Sequence, residues 1–248
     1  MAESANTLFH FTGKRALKGI LKNGFYPRYY KENLSTATPR ISIYKESFVP
    51  MVCFCDLPMS RIIDHIRFYG EYGIGMRKEG WGVERGISPI IYLPESSSSS
   101  VQFQDIAASI SRTISDFKES LFIRQQLLNF YKYIKPYKGE TWNKKKKKKV
   151  PVTFYHEREW RYVPDGFSIV SDKNIIPDWI EKANETLKKK EHKLNFDANN
   201  VKYIVVKSEH EIPAFTHFIN KNLLNFNEDE RSLLASKLIS VTQIREDM

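Results

Sequence analysis

The 248-residue sequence contains few cysteines and no long apolar run. Its two cysteines, Cys53 and Cys55, stand two positions apart in an apolar segment, where strand geometry puts both side chains on one face and disfavours a disulfide. A structural zinc site needs about four ligands, and no second Cys/His pair lies at a suitable spacing. No segment has the ~18 apolar residues of a membrane span, and residues 1–7 lack a signal-peptide pattern. We therefore expect a cytoplasmic protein with reduced thiols, and we exclude a secreted disulfide scaffold and a zinc finger.

Linkers and repeats are also missing. No segment rich in Pro, Gly and Ser divides the chain, and no internal repeat is visible. Hydrophobic residues make up 41% and charged residues 27%, which is close to the average of globular proteins, so the chain can bury a core. We predict one α+β domain over residues 1–248, with a flexible basic insertion near 138–150 and a helical C-terminal part over 175–248.

Positive charge is concentrated in one place. The net charge is +10, and the run Lys144–Lys149 alone contributes six positive charges. Such a run repels itself and is typical of a solvated loop. Its functional alternative is an electrostatic contact with phosphates, for example those of a nucleic-acid acceptor.

The order of patterns predicts the α+β class. Leu8–Thr12 is strand-like, and Thr12 is positioned to cap a following helix that Gly24 ends. After an extended stretch and a polar loop over 31–47, Val49–Cys55 predicts a buried strand, and Asp56 is positioned to cap a helix that runs to Tyr69. Further predicted elements are strands at 72–76 and 89–93, a helical region at about 101–132, a strand at 152–163, a helix around 178–190, a strand at 201–206, and helices at about 209–222 and 228–238.

Three segments carry reactive side chains where a strand pattern would place apolar ones. They are His10 with Thr12, the group 69–73, and the group 157–161. Each lies near the end of a different predicted strand, where clefts form in α/β architectures. Their joint occurrence favours a binding or catalytic site.

Each segment also has a structural explanation. Strand alternation places Glu157, Glu159 and Arg161 on one face, and two carboxylates there must be solvated, paired or in a cleft. An exposed ion-pair ladder from Glu159 to Arg161 or Arg158 would satisfy that requirement. His10 flanked by phenylalanines is equally consistent with a hydrogen-bonded, half-buried side chain.

The chain resembles the AbiGi family of abortive phage resistance proteins. The resemblance covers almost the whole chain, least at the lysine run and at 31–47, and it rests on the order of the strings LFHFTGKRALKGILKNGFYPRYY, VPMVCFCDLPMSRIIDHIRFYGEYGIGM, FYHEREWRYVP, IPAFTHFI and ISVTQIRED. It implies the antitoxin half of a two-gene abortive-infection system in antiviral defence, with a nucleotidyltransferase-like toxin as partner.

The same layout is similar to a more distant group, the ADP-ribosyltransferases of the His-Tyr-Glu type. That similarity implies a split β-sheet core with surrounding helices, NAD as substrate, and no metal. It also assigns roles to residues of this sequence. His10 and Thr12 would hold the nicotinamide ribose and amide, Tyr69 or Tyr72 would stack on the ring, and Glu159 would be catalytic together with His10 and Tyr69.

Substrate contacts follow from the same similarity. Glu157-Arg158-Glu159 is similar to the Glu-x-Glu pair of the arginine-modifying branch. This similarity leaves both carboxylates as candidates for the catalytic group, and it places Glu157 and Arg158 at the substrate. The Ser-Thr-Ser motif of that branch is missing. A carboxylate near the ribose would stabilise the positive charge that develops on the sugar as nicotinamide departs.

Three functions are therefore open. The first is an NAD-dependent glycosyltransferase that passes ADP-ribose to a protein or nucleic acid. The second is a non-catalytic antitoxin or regulatory module that binds a toxin. The third is an NAD-degrading hydrolase, which differs from the transferase only in using water as the acceptor.

Overall fold

The computed structural model describes residues 5–38, 46–113, 117–143, 147–172 and 178–247. Its strands are β1 Thr7–Thr12, β2 Arg28–Asn33, β3 Glu46–Cys55, β4 Tyr72–Arg77, β5 Ser88–Pro89, β6 Ile91–Leu93, β7 Ile134–Pro136, β8 Lys138–Asn143, β9 Lys148–Thr153, β10 Glu159–Tyr162, β11 Val170–Ser171, β12 Val201–Val206 and β13 Leu238–Ser240. Its helices are α1 Lys14–Asn23, α2 Ile62–Tyr69, α3 Ser98–Thr113, α4 Phe117–Tyr131, α5 Trp179–Leu187, α6 Ile212–Asn222, α7 Glu228–Ala235 and α8 Val241–Asp247. The predicted α+β class is confirmed.

The chain divides into two compact units. The first contains residues 1–26, 53–88 and 190–248, and the second contains residues 27–52 and 89–189. The boundary at 52/53 falls inside β3.

A sheet with the order β13-β12-β4-β1 forms the centre of the first unit. β1 and β4 are antiparallel over their full lengths, from Thr7 opposite Arg77 to Thr12 opposite Tyr72. One face carries Phe9 and Phe11, which pack into a buried cluster with side chains of α2 and α8. Because successive strand residues alternate between faces, His10 and Thr12 point to the other face.

Glycines of β4 make room for these rings. A Cβ atom at Gly73 would come within 2.6 Å of the Phe11 ring, and one at Gly75 within 2.8 Å of the Phe9 ring. The sequence indicated a close approach at these glycines. The neighbours that use the space are aromatic side chains of β1.

Two predicted helix caps are wrong. The residue before α1 is Gly13, which makes no side-chain cap, so Thr12 does not cap this helix. α2 begins at Ile62 after a short 3₁₀ turn, and its N-cap residue, Arg61, makes no side-chain cap either. Asp56 instead binds Lys78, with 2.6 Å between Oδ2 and Nζ. The predicted end of α1 is confirmed, because Gly24 has φ 79° and donates its N–H to the carbonyl of Ile20.

In the second unit, β3 pairs antiparallel with β2 and with β11, and β6 pairs parallel with β7. Residues 31–33 of the predicted polar loop belong to β2, and residues 46–47 belong to β3, while 39–45 lie outside the described residues. α5 packs beside β2, where the backbone N–H of Tyr29 donates to Oδ1 of Asn184 over 2.8 Å.

The predicted strand over 152–163 is divided. β9 ends at Thr153, a 3₁₀ turn occupies Phe154–Glu157, and Arg158 has φ 44°, so β10 begins only at Glu159. β8 and β9 form an antiparallel hairpin from Lys138 opposite Thr153 to Asn143 opposite Lys148. Of the lysine run, Lys147 lies in the turn and the last two lysines lie in β9, while 144–146 fall outside the described residues.

Candidate functional site

His10 is held by its backbone and aromatic neighbours. Its Nδ1 lies 2.8 Å from the carbonyl oxygen of Cys53, and because a carbonyl only accepts, Nδ1 carries the proton. The rings of Phe25 and Phe54 meet the imidazole edge-on, at 5.5 and 5.8 Å between centroids. Burial lowers the pKa of His10, and the bond to Cys53 offsets this only in part. The side chain is therefore a neutral, fixed imidazole in an aromatic setting.

Thr12 and Tyr72 lie together. They are directly opposite each other in β1 and β4, so their side chains share a face. The Tyr72 ring stacks on Phe215, with 6.2 Å between centroids. Burial raises the pKa of the Tyr72 hydroxyl to about 12, and its hydrogen bond to the carboxylate of Glu211 adds to this effect. Tyr72 is thus a packed, hydrogen-bonded side chain on the same face of the sheet as His10.

Tyr69 lies on the other face. Its ring stacks on His65 at 4.3 Å, and His65 in turn contacts Phe11 at 5.7 Å. Phe11 and His10 are neighbours in β1, so their side chains are on opposite faces. The structure therefore brings Thr12 and Tyr72 together and separates Tyr69 from His10 by the thickness of the sheet.

Glu159 belongs to a buried charge network in the second unit. Its Oε1 accepts from Nε of Arg161 over 2.6 Å, and its Oε2 accepts from Nζ of Lys135 over 2.7 Å. Burial alone would raise the pKa of Glu159, but the charges and hydrogen bonds of Arg161 and Lys135 lower it well below its usual range. Glu159 is therefore an ionised carboxylate with both oxygens bound.

Two further carboxylates complete this charge network. Lys135 also binds Glu157, at 2.8 Å, and Nη2 of Arg161 binds Glu32, at 3.0 Å. Burial raises the pKa of Glu32, and the attraction of the two cations offsets it only in part. Among the described residues, the network thus joins three carboxylates to two cations.

The sequence indicated only part of this arrangement. Strand alternation placed Glu159 and Arg161 on one face, and they form the ion pair that we considered as the structural explanation. The pair is buried, whereas the prediction was an exposed ladder. Lys135 and Glu32 were missed, and the one available signal was Lys135 itself, a lysine inside the apolar strand β7.

Arg158 lies at the turn that precedes this network. Its left-handed backbone, φ 44°, places it between the 3₁₀ turn and β10. The backbone N–H of Glu159 donates to the hydroxyl oxygen of Tyr92 over 2.8 Å, which fixes the start of β10. The proposed substrate roles of Glu157 and Arg158 stay predictions, as do the NAD-related roles of the other residues.

In the parts of the chain that the structure describes, no group of three or more His, Cys, Asp or Glu side chains is arranged to hold a metal ion. No helix within these described parts is both long enough and apolar enough to cross a membrane.

α3 and α4 present apolar side chains to solvent. Phe103 of α3 packs on Phe130 and Tyr131 of α4, with 6.1 Å between centroids in both pairs. Beyond this contact, Ile106, Leu121 and Phe122 are 57%, 49% and 64% exposed. We call these three residues together with Phe130 the apolar helix surface. One side of α3, including Ile106, also lines an open cavity of about 430 Å³.

Comparison with known proteins decides the family. Residues 23–207 match the family model described as "Putative abortive phage resistance protein AbiGi, antitoxin". The chain belongs to the AbiGi family. The Abortive phage resistance protein AbiGi of Lactococcus lactis subsp. cremoris is 30% identical over 253 residues, which cover 90% of this chain and 99% of that protein. No solved structure matches the chain.

Membership of the AbiGi family confirms the predicted place in abortive phage resistance. The antitoxin description fits the non-catalytic alternative better than the transferase. Neither comparison supports the likeness to ADP-ribosyltransferases, so the split-sheet core and the use of NAD stay predictions.

Proposed function

We propose that this protein is the antitoxin of an abortive-infection system and that it neutralises a toxin by binding it, without turnover. The observation that carries the proposal is the apolar helix surface, in a chain whose family is described as an antitoxin. The toxin it would bind is the nucleotidyltransferase-like partner that the AbiGi resemblance implies.

The apolar helix surface has the composition of a protein interface. Four large apolar side chains are exposed on this one pair of packed helices, and aromatic anchors of this kind dominate the binding energy of protein interfaces. Phe122 and Leu121 follow each other in α4 and are both about half exposed or more. A helix pair that presents such side chains fits the apolar groove of a partner protein.

The candidate catalytic groups are bound within the protein. Each carboxylate oxygen of Glu159 accepts a charge-assisted hydrogen bond from a buried cation. Glu159 is also only 5% exposed, so a ribose reaches it only if the side chains around this network rearrange. This arrangement favours binding over catalysis.

The decisive experiment is co-expression with the toxin encoded beside this gene. We expect the wild-type protein to restore growth and to form a complex that can be purified. The double variant Leu121→Ser/Phe122→Ser should bind the toxin at least tenfold more weakly and lose neutralisation, because truncating aromatic anchors has effects of this size.

A matched double variant controls for helix damage. Arg124→Ser/Gln126→Ser changes two exposed polar residues of α4 and should neutralise normally. Circular dichroism of both variants should match the wild type. Full neutralisation by Leu121→Ser/Phe122→Ser would remove the apolar helix surface from the proposal. Restored growth without any complex would refute neutralisation by binding, and failure to restore growth would refute the antitoxin function itself.

The transferase hypothesis has a separate test. Lysate is incubated with labelled NAD and either the wild-type protein, Glu159→Gln or His10→Ala. A binding function predicts no transfer of label by any of the three. Label that is transferred by the wild type and lost in both folded variants would establish ADP-ribosylation in place of our proposal, and consumption of NAD without a labelled acceptor would indicate the hydrolase.

A further inference from the structure

The β8–β9 hairpin is strongly basic. The sequence from 138 to 153 contains seven lysines and one glutamate. Lys138, Lys147, Lys148 and Lys149 are exposed in the structure, at both ends of the hairpin. Lys148 and Lys149 lie in β9, so their positive charge is carried by a strand, and Lys147 directly precedes them.

Aromatic side chains gather at the base of the same hairpin. Tyr155 stacks on Tyr137 with 5.5 Å between centroids, and it meets Tyr92 edge-on at 5.4 Å. Tyr155 is 49% exposed, and Nζ of Lys138 lies 5.8 Å from the centre of the Tyr137 ring. His156, next to Tyr155 in the 3₁₀ turn, is exposed as well.

The base of the hairpin is firmly anchored. The Phe154 ring covers Gly139, where a Cβ atom would come within 2.6 Å of it, and Nζ of Lys135 lies 4.7 Å from the centre of the same ring. Lys135 is also the cation that binds Glu157 and Glu159. The buried charge network is therefore connected through Phe154 to the start of β8.

We infer that the β8–β9 hairpin and the tyrosines at its base bind single-stranded nucleic acid. Lysines along an extended element contact successive phosphates, and the exposed Tyr155 ring at the base of that element stacks on an unpaired base. A duplex hides its bases from the tyrosines, and an acidic protein surface would use the lysines alone. The combination of both features selects a single strand.

Fluorescence anisotropy with a labelled 20-nucleotide oligouridine RNA tests this inference, and no toxin is needed. The wild type should bind with a dissociation constant that rises steeply with salt. The triple variant Lys147→Gln/Lys148→Gln/Lys149→Gln should bind at least tenfold more weakly, and its salt slope should be smaller by about two, because three phosphate contacts are lost.

Tyr155 separates base stacking from charge. Tyr155→Ala should weaken binding about tenfold, as the loss of one stacked base does, while Tyr155→Phe should bind like the wild type. The triple variant Lys182→Gln/Lys188→Gln/Lys189→Gln, called the α5 variant, makes the same change of charge on α5 and on the two residues that follow it, and it should leave binding unchanged. The matching DNA oligonucleotide, a 20-base-pair duplex and heparin are compared as ligands.

Three results would overturn the inference. One is no binding of oligouridine below about 100 µM at moderate salt, which is weaker than ordinary non-specific binding. The second is that Tyr155→Ala binds the RNA like the wild type, or that heparin and the duplex bind as tightly as the single strand. Either result would show that the protein attracts any polyanion. The third is an equal loss in the α5 variant. A preference for the RNA or for the DNA oligonucleotide shows which kind of single strand the protein binds, and either preference agrees with the inference.

Discussion

Arg161 donates its Nε–H to Oε1 of Glu159 over 2.6 Å, and both side chains are buried. The two residues are neighbours on one face of β10, as residues two apart in a strand must be. The guanidinium also donates to the carbonyl of Lys132, at 2.7 Å, so the carboxylate that attracted a catalytic interpretation helps to fix a buried arginine. Its contact with Arg161 is visible in the structure, and its catalytic role stays a prediction.

Arg161→Met should destabilise the protein strongly. Among the described residues, the change removes one of the two cations that bind Glu159 and the cation that binds Glu32. Removing one partner of a buried pair costs about 3–5 kcal/mol. Urea unfolding followed by circular dichroism measures the free energy of unfolding.

Arg67→Met is the matched control for that measurement. Arg67 pairs with Asp64 on the exposed side of α2, at 3.1 Å, and such surface pairs contribute at most about 1 kcal/mol. Similar small losses in both variants would show that the buried pair does not support the fold.

The sequence predicted some of these relationships and missed others for physical reasons. β12 was predicted at its observed bounds, Val201–Val206, because five of its six residues are β-branched or aromatic. The burial of Glu159 could not be predicted, because it depends on Lys135 and Glu32, which are 24 and 127 positions away in the sequence. The break before β10 was missed because nothing about an arginine signals a left-handed backbone.

Helix beginnings show the same limit. Thr12 and Asp56 have the chemistry of caps, but local preference lost to tertiary contacts at both positions. Thr12 is the last residue of β1, and Asp56 binds the buried Lys78. An oxygen that can cap a helix can equally pair with a lysine that follows a later strand, and the sequence alone does not rank the two.

His10 should make the stability of the protein depend on pH. Burial lowers its pKa in the folded state, so between this value and the unfolded value near 6.5 the unfolded chain binds more protons. The contribution of His10 is therefore complete above pH 6.5 and is lost as the pH falls through that range, with a slope of at most about 1.4 kcal/mol per pH unit.

His10→Gln isolates this contribution. Glutamine can still donate an N–H to the carbonyl of Cys53 but does not titrate. Urea unfolding at several values between pH 5 and 8 should show a decline toward acid that is steeper in the wild type than in the variant. Parallel curves for the two proteins would show that His10 titrates alike in both states.

Gly70 should tolerate no side chain, and its position ties this prediction to the candidate site. Gly70 lies two positions before the first residue of β4 and beside the end of β1. Its backbone has φ 128° and ψ 159°, a conformation that is almost confined to glycine. A Cβ atom there would come within 2.3 Å of the carbonyl oxygen of Thr12. Because the obstacle is backbone, relief requires β1 and β4 to separate where Thr12 faces Tyr72.

Gly80→Ala provides the comparison that separates strain from collision. Gly80 also has a positive φ, 80°, but nothing lies within 4 Å of the added Cβ, so alanine should cost about 1–2 kcal/mol from backbone strain alone. Gly70→Ala should cost clearly more, because the collision with Thr12 adds to the strain. Urea unfolding of both variants decides the matter. Equal losses would mean that the chain yields at Gly70 without disturbing the pairing of β1 with β4, and the fixed placement of Thr12 opposite Tyr72 would then need another cause.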